Sequence, residues 1–340
     1  MKRQLVKAEF LWSRKCPLSC SYCNMQDGRS NDYPLDKWIE GVHQLKELGC
    51  GFIAFYGAEP LVEFAKLPTV IQCAESLGIH TTVITTCQVP NVIEKFRTLI
   101  DHGLRSLSMS YDIIPLDKSS ERKMKNTLAY LDLFRNMCPD LRDVAAIATL
   151  SRVNFEALPR MVRDMSARGI WTFFDFIHPS RGITSSKCRD TPQTANLLFR
   201  KEEYPKLLKV LEEVQELKES GHLVHSSRPF IEGMKLRLEL NGELYDWNCS
   251  ESEVFPSWVT VDCDGVVRPC DDFYWTGAMY NESVDKIHLH ELVKKFDQFS
   301  RHQRVFIASY CPGCCWNTHI DAHCIKHGTL PFSDYVHKED

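Results

Sequence analysis

No stretch of this 340-residue chain is apolar for long enough to cross a membrane as a helix, and no secretory apolar run follows Met1. Charge of one sign never accumulates: the net charge is −4, and acidic and basic residues are spread along the chain rather than gathered in blocks. That excludes the basic footprint of a nucleic-acid binder and the polybasic patch of a membrane-surface protein. Low-complexity tracts and internal repeats are lacking too, and ordinary hydrophobic and charged fractions exclude fibrous and disordered classes. A cytoplasmic protein with no nucleic-acid and no membrane partner is the expectation. What the chain has in plenty is cysteine, 15 in all. A reducing cytosol keeps thiols from forming a disulfide framework, so metal ligation is the better account of the clustered ones. Cys50, Cys73, Cys138 and Cys188 stand singly and suit small buried hydrophobes.

Short β-branched or aromatic runs alternate with segments of helical period. Strands are expected at Ala8–Trp12, Phe52–Tyr56, Thr81–Thr85, Ser106–Ser110, Val144–Thr149 and Trp171–Ile177. Helices are expected between them: around Leu35–Leu45 and Val70–Leu77, then at Val92–Ile100, Met124–Phe134 and Leu158–Met165, with Pro205–Leu217 closing the series. The strands read as near-continuous hydrophobic runs, the pattern of a parallel sheet covered on both faces. Six βα units fit either a barrel or an open doubly wound sheet. After about residue 222 the beat stops, and a region rich in Cys, His, Asp and Trp follows, with strand-like pieces at Trp258–Val261 and Val266–Arg268. Its thin apolar pattern calls for something besides packing to hold it together. The expected division is residues 1–222 and 223–340.

Cys16-Pro-Leu-Ser-Cys20-Ser-Tyr-Cys23 follows directly on the first strand. Parallel barrels and sheets present their chemistry at the carboxyl ends of strands, so this loop lies where a site is expected. Three thiolates can wrap one face of an iron–sulfur cube, and the missing fourth ligand leaves one iron open. Zinc with a distant fourth ligand is the alternative, although zinc favours paired C-x₂-C knuckles.

This C-x₃-C-x₂-C after the first strand of a βα series resembles the radical S-adenosylmethionine (SAM) superfamily. The resemblance implies a partial (β/α)₆ TIM-like barrel. In it a [4Fe–4S] cluster on Cys16, Cys20 and Cys23 chelates SAM through its open iron and cleaves it to a 5′-deoxyadenosyl radical, which abstracts a hydrogen atom from substrate. It implies that Tyr22 lies near the adenine, and that the Gly57-Ala58-Glu59-Pro60 turn, with Ala58 where a second Gly is usual, meets the SAM ammonium through Gly57 and Glu59. It further implies contacts to SAM from Ser110 and Asp112 after the fourth strand and from Thr149 and Asn154 after the fifth. Thr85-Thr86-Cys87 stands where relatives carry Thr-Asn-Gly. Cys87 at the barrel mouth is a candidate to meet substrate or donate a hydrogen atom, with a packed thiol as the plainer reading. Asp175 and His178, ending the sixth strand, are candidate substrate-binding groups.

Downstream, Cys249, Gly265 and Cys270 are followed by Cys311-Pro-Gly-Cys314-Cys315 and Cys324. This resembles the SPASM and twitch subfamilies, which add auxiliary [4Fe–4S] clusters. In the register of a full SPASM domain Ile320 stands where a cysteine is expected and none follows Cys324, so one auxiliary cluster is implied. Four of Cys249, Cys270, Cys311, Cys314 and Cys324 would hold it, in a small α+β domain, with Cys263 and Cys315 as bystanders. Zinc on Cys311 and Cys314 with His319, His323 or His327 is the competing reading.

The implied activity is an oxidoreductase-type radical SAM enzyme. Its auxiliary cluster would accept an electron or bind substrate, and a low-potential donor such as flavodoxin or ferredoxin would supply the first electron. Oxidation or rearrangement of a small molecule is favoured over modification of a peptide or protein side chain, since only the residues before Cys16 are available for a fused leader-recognition module. A non-catalytic metal-binding or redox-sensing protein is the reading from another class; a SAM-type turn at Gly57–Pro60 argues against it.

Overall fold

The computed structural model describes residues 5–137, 143–177, 192–240, 244, 256–268, 270, 286–310 and 317–331. Six βα units come first, as the sequence predicts. They are β1 (Lys7–Ser13), α1 (Leu35–Glu47), β2 (Phe52–Gly57), α2 (Leu67–Ser76), β3 (His80–Thr85), α3 (Val92–Asp101), β4 (Ser106–Ser110), α4 (Lys118–Met124) and α5 (Thr127–Met137). Then follow β5 (Asp143–Leu150), α6 (Leu158–Ser166), β6 (Trp171–Phe176), a short α7 (Pro192–Ala195) and α8 (Tyr204–Glu219). Beyond them lie α9 (Arg228–Leu240), β7 (Trp258–Asp262), β8 (Val267–Arg268), α10 (Phe296–Tyr310) and α11 (Asn317–His327).

All eight strands form one sheet in the order β6-β5-β4-β3-β2-β1-β7-β8, parallel except for β8. The sheet is an open, partial barrel of α/β type. Strand β7 pairs with β1 in register, Lys7 opposite Trp258 through Leu11 opposite Asp262, so the later part of the chain extends the sheet of the first. At the other edge Thr172 N donates to Leu223 O and His225 N to Thr172 O, adding a short parallel stretch beside β6.

The strands alternate more than their sequences suggest. Outward side chains pack under the helices: Phe10 and Trp12 each stand 5.0 Å, ring to ring, from Trp38 of α1, and Phe55 meets both edge-on. Burying each such ring contributes about 1.5–3 kcal/mol. Inward positions carry Glu9, Tyr56, His80, Thr82, Ser106, Ser108, Asp143, Thr149 and Asp175, around a cavity of about 190 Å³. The expected continuous hydrophobic runs are therefore corrected: the inner face lines a space instead of filling it, so it tolerates polar side chains.

Two helices depart from expectation. The single helix foreseen at 124–134 is two, and α4, whose sequence KSSERKM has no apolar stripe, is the one that touches the cysteine loop. Helix α9 buries Phe230, Ile231, Met234 and Leu238 against the barrel, so the chain after residue 222 has more packing than its composition announced.

Candidate active site at the cysteine loop

The loop after β1 is held from three sides. At its base, Asp27 N and Gly28 N donate to Arg14 O at 3.2 and 3.1 Å, closing residues 14–28 into a ring of chain. In its middle, Cys23 N donates to Cys20 O at 3.1 Å. Over its outer arm, Asp117 caps α4 through Ser120 N and also accepts from Ser21 N at 2.6 Å, while Ser119 Oγ accepts from Ser19 N. Those donors hold the Asp117 carboxyl below its usual range despite partial burial.

The three predicted cluster cysteines are thus together on one loop, packed with Leu18, Tyr22, Ile177 and Leu197. Burial pushes the Cys16 thiol up to about 12 and the Cys20 thiol up to about 11, each raised further by its cysteine neighbours. A site that penalises thiolates in this way needs a strongly cationic partner to ionise them, and iron in a [4Fe–4S] cluster is such a partner. Among the described residues no three His, Cys, Asp or Glu side chains converge as ligands of a single ion would. A four-iron cube instead bonds each thiolate at its own corner, and the donor set fits it.

Tyr22 is buried, and its hydroxyl donates to Asp112 Oδ2 at 3.1 Å. Lys123 of α4 reaches both, 3.1 Å from the Tyr22 hydroxyl and 2.5 Å from Asp112 Oδ2. Burial, then the Asp112 charge, pushes the phenol well above its ordinary range, so Tyr22 stays neutral. Asp112, fully buried, also accepts from Ser120 Oγ. Its Oδ2 thus fixes Tyr22 beside Cys23, while Oδ1 is buried and has no hydrogen-bond partner among the described residues. Asn154, also buried, donates to Asp112 O at 2.7 Å and Thr149 O at 2.9 Å, tying the ends of β4 and β5 together. Ser110 is half-buried at the end of β4.

Gly57 ends β2 with φ +138°, and a Cβ there would lie 2.5 Å from Ser13 O. This close approach lets Ala58 N donate to Ser13 O at 2.9 Å, holding the turn against the start of the cysteine loop. Glu59 is fully buried near Cys16 and accepts four bonds: from Leu61 N, Thr85 Oγ1, Thr86 N and Thr86 Oγ1, at 2.6–3.1 Å. Burial nonetheless raises its pKa. It welds the β2 turn to the β3 turn. Cys87, φ +57°, is buried in the main core, and burial pushes its thiol well up.

Below the loop the inner cavity runs the length of the barrel, from Thr149 and its register partner Asp175 down to Phe52, His80 and Asp143. His225, from the added stretch beside β6, joins the lining. His178, Cys249, Cys311 and Cys314 lie outside the described residues. Cys270 is buried just after β8, and Cys324 is half-buried on α11. Cys263, buried at the end of β7, lies nearer the cysteine loop.

Sequence reasoning did not single out Arg14, Lys123, Glu9, His80, Asp143, His225 or Asp262. For Glu9 a signal was present, a carboxylate inside an apolar run. For the others, whose partners are remote in sequence, there was none. No described helix is long and apolar enough to cross a membrane.

Solved structures that share the fold include the following three. Streptococcus suis SuiB bound to S-adenosylmethionine superposes with a TM-score of 0.61 at 15% identity, covering 89% of this chain and 68% of that one. SuiB bound to its precursor peptide SuiA gives 0.58 at 14% identity, covering 85% and 64%. Native anSMEcpe with bound AdoMet and Cp18Cys peptide gives 0.55 at 14% identity, covering 98% and 97%. The model of the radical SAM superfamily matches residues 10–165, which span the cysteine loop and the barrel as far as α6. Over residues 10–165 the chain therefore matches the radical SAM superfamily, with the three-cysteine loop at the mouth of a partial parallel barrel.

Proposed function

We propose that this chain binds a [4Fe–4S] cluster through Cys16, Cys20 and Cys23, cleaves SAM there reductively, and directs hydrogen abstraction to a substrate carbon in the barrel cavity. When bound, the cluster and SAM supply the one-electron chemistry and the 5′-deoxyadenosyl radical. The protein's own residues orient and exclude water. Gly57 and Glu59 shape the turn beside Cys16, Tyr22 presents a neutral ring fixed by Asp112 and Lys123, and Ser110, Thr149 and Asn154 sit at the adjoining strand ends. The carrying observation is that the cysteine loop follows the carboxyl end of β1, at the same end of the barrel where Thr149 and Asp175 line the inner cavity.

That cavity, about 190 Å³, suits a small molecule or a single side chain. Glu9, Asp143, Asp175 and several hydroxyls line it together with Phe52, Ile84, Ile147 and Phe173, which supports a substrate with both polar and apolar parts. Small-molecule oxidation or rearrangement is the favoured outcome; a peptide laid across the mouth with one side chain inserted is the second reading, since a volume of about 190 Å³ also takes one side chain. An auxiliary cluster on four of Cys249, Cys270, Cys311, Cys314 and Cys324 belongs to the same proposal. Strand β8 heads back from Thr260 toward the start of β7, and α11 sits near Lys7, so Cys270 and Cys324 lie toward the amino ends of the strands. The length of β1, about 20 Å at 3.3 Å per residue, separates them from the cysteine loop. That spacing favours an electron acceptor over a substrate ligand, with a flavodoxin- or ferredoxin-like donor supplying the initiating electron.

Anaerobic reconstitution, iron and sulfide assay, and incubation with SAM and dithionite test the reading. About eight irons per chain and release of 5′-deoxyadenosine are expected; about four irons plus zinc would replace the auxiliary cluster by a zinc knuckle. Cys16→Ala should abolish 5′-deoxyadenosine and leave the C-terminal metal in place. Cluster-replete protein that cleaves no SAM with any substrate offered would overturn the proposal.

A further inference from the structure

Both feet of the cysteine loop stand on one carboxylate from the far end of the chain. Asp262, the last residue of β7, is fully buried and accepts from Arg14 Nε at 2.8 Å through Oδ1 and from Arg29 Nη2 at 2.8 Å through Oδ2. Arg14 lies two residues before Cys16, and Arg29 lies six after Cys23; they are 248 and 233 positions from Asp262. Arg268 Nη2 also bonds Oδ2, and Cys263 N donates to Oδ1 at 2.9 Å, so each oxygen serves one loop foot and one group of the β7–β8 hairpin. Arg14 is itself fully buried, and its carbonyl closes the loop through Asp27 and Gly28.

A surface ion pair in this place would be weak and screened. Here water is excluded from Arg14 and Asp262, the guanidinium forks are directional, and neither foot can shift without stranding a buried charge. The loop's remaining ties, to Asp117, Ser119 and Asp112, come from the barrel itself. Among the described residues the Asp262 clamp, with the longer Arg29–Asp264 contact at 3.6 Å beside it, brings the C-terminal region to bear on the loop.

We infer that Asp262 is a positioning residue for the cysteine loop: from β7 it sets the spacing of the two loop feet, and through them the geometry of Cys16, Cys20 and Cys23. The inference rests on the proposed function only for what the loop carries. Radical chemistry at one end of the sheet thereby depends on a correctly folded hairpin from the later region.

The test uses the full chain and begins without iron. Wild type, Asp262→Asn, Asp262→Glu, Arg29→Met and Asp264→Asn are labelled with N-ethylmaleimide, and each cysteine is followed by mass spectrometry. Asp262→Asn should label Cys16, Cys20 and Cys23 faster on the order of tenfold, with buried Cys50 unchanged as the internal reference. Asp262→Glu should restore part of the protection. Asp264→Asn, which removes only an exposed charge 3.6 Å from Arg29, should match wild type. After anaerobic reconstitution, the signal that a Cys16/Cys20/Cys23→Ala chain lacks identifies the loop cluster. Its electron paramagnetic resonance g-values, with and without SAM, and its midpoint potential should shift in Asp262→Asn. Wild-type labelling rates in Asp262→Asn would overturn the inference. If that variant does not fold, Arg29→Met decides: its side chain is 39% exposed, so the fold survives, and an unchanged labelling rate overturns the inference equally. Wild-type chain that takes up no cluster on the loop would sink the proposed function instead, and leaves the labelling result standing.

Discussion

Replacing Gly57 by alanine should damage this protein more than any other single-methyl insertion at the cysteine loop. Its φ of +138° is a backbone conformation that L side chains rarely adopt, which costs about 1–3 kcal/mol. The new Cβ would also sit 2.5 Å from Ser13 O, 3.1 Å from Ser13 N and 3.3 Å from Trp12 N, all backbone atoms of β1 that cannot rotate away. Moving β1 back would break the Ala58 N–Ser13 O bond, for about 1 kcal/mol more. The sum is about 2–4 kcal/mol. At the ~2 °C per kcal/mol expected of a large domain, the melting temperature should fall by about 4–8 °C. Gly28→Ala is the control. Its φ is +80°, but nothing lies within 4 Å of the added methyl, so only the backbone preference of about 1–2 kcal/mol should be lost. Paired thermal melts followed by circular dichroism read the difference. If Gly57→Ala melts within a degree of Gly28→Ala, the close approach of the β2 turn to β1 has no energetic weight, and the account of how that turn is held beside Cys16 fails.

Two further expectations concern buried charge. Lys123→Met strands Asp112 without its cation and should destabilise the chain by about 3–5 kcal/mol; adding Asp112→Asn should recover most of that, a coupling that a double-mutant thermal cycle measures. Asp321 on α11 is buried, accepts from Ser227 Oγ, and is raised by burial to about 7, with Lys7 and Lys218 pulling weakly the other way. The unfolded chain loses this proton near 3.8 and the folded chain near 7. Its stabilising contribution is therefore complete below about pH 4 and declines as pH rises to 7, by at most ~1.4 kcal/mol per unit. Asp321→Asn should flatten that decline, melting above wild type at pH 8 and level with it near pH 4.

The positions of the strands and the gathering of Cys16, Cys20 and Cys23 on one loop were legible because both are local. A β-branched run and a three-cysteine spacing carry their information within a few residues. What stayed hidden is carried by partners far apart. Nothing near Trp258–Asp262 announces that it pairs with β1, and nothing near Arg14 announces Asp262. Helix α4 was missed because Lys118–Met124 has no apolar face; it is held by its Asp117 cap and by the loop it covers. For α9 the pattern was present in Phe230, Ile231, Met234 and Leu238, but it follows the change in composition at which the βα beat stops. The expected SAM contacts at Glu59, Asp112 and Asn154 divide along the same line. Their places at strand ends follow from sequence, whereas their engagement by Thr85, Thr86, Lys123, Ser120 and backbone carbonyls is visible only in three dimensions.

The inner face of the barrel explains why a parallel sheet in this chain has room for chemistry. Closed barrels fill their interior with layers of bulky branched side chains. Here successive inward positions hold Ala54, Thr82, Ser106, Ser108 and Ala145, small residues on four adjacent strands, and the volume they leave is the cavity. Polar side chains can line it at Glu9, Asp143 and Asp175 because a cavity that admits a polar ligand or water does not strand them. The sheet can remain open because β7 and the Leu223–His225 stretch occupy positions at which a closed barrel would pair its first and last strands. The same two additions place Asp262 beside the cysteine loop and His225 beside the cavity. The segments that follow the six βα units therefore contribute to both the loop and the space beneath it, and the functional unit is the extended sheet as a whole.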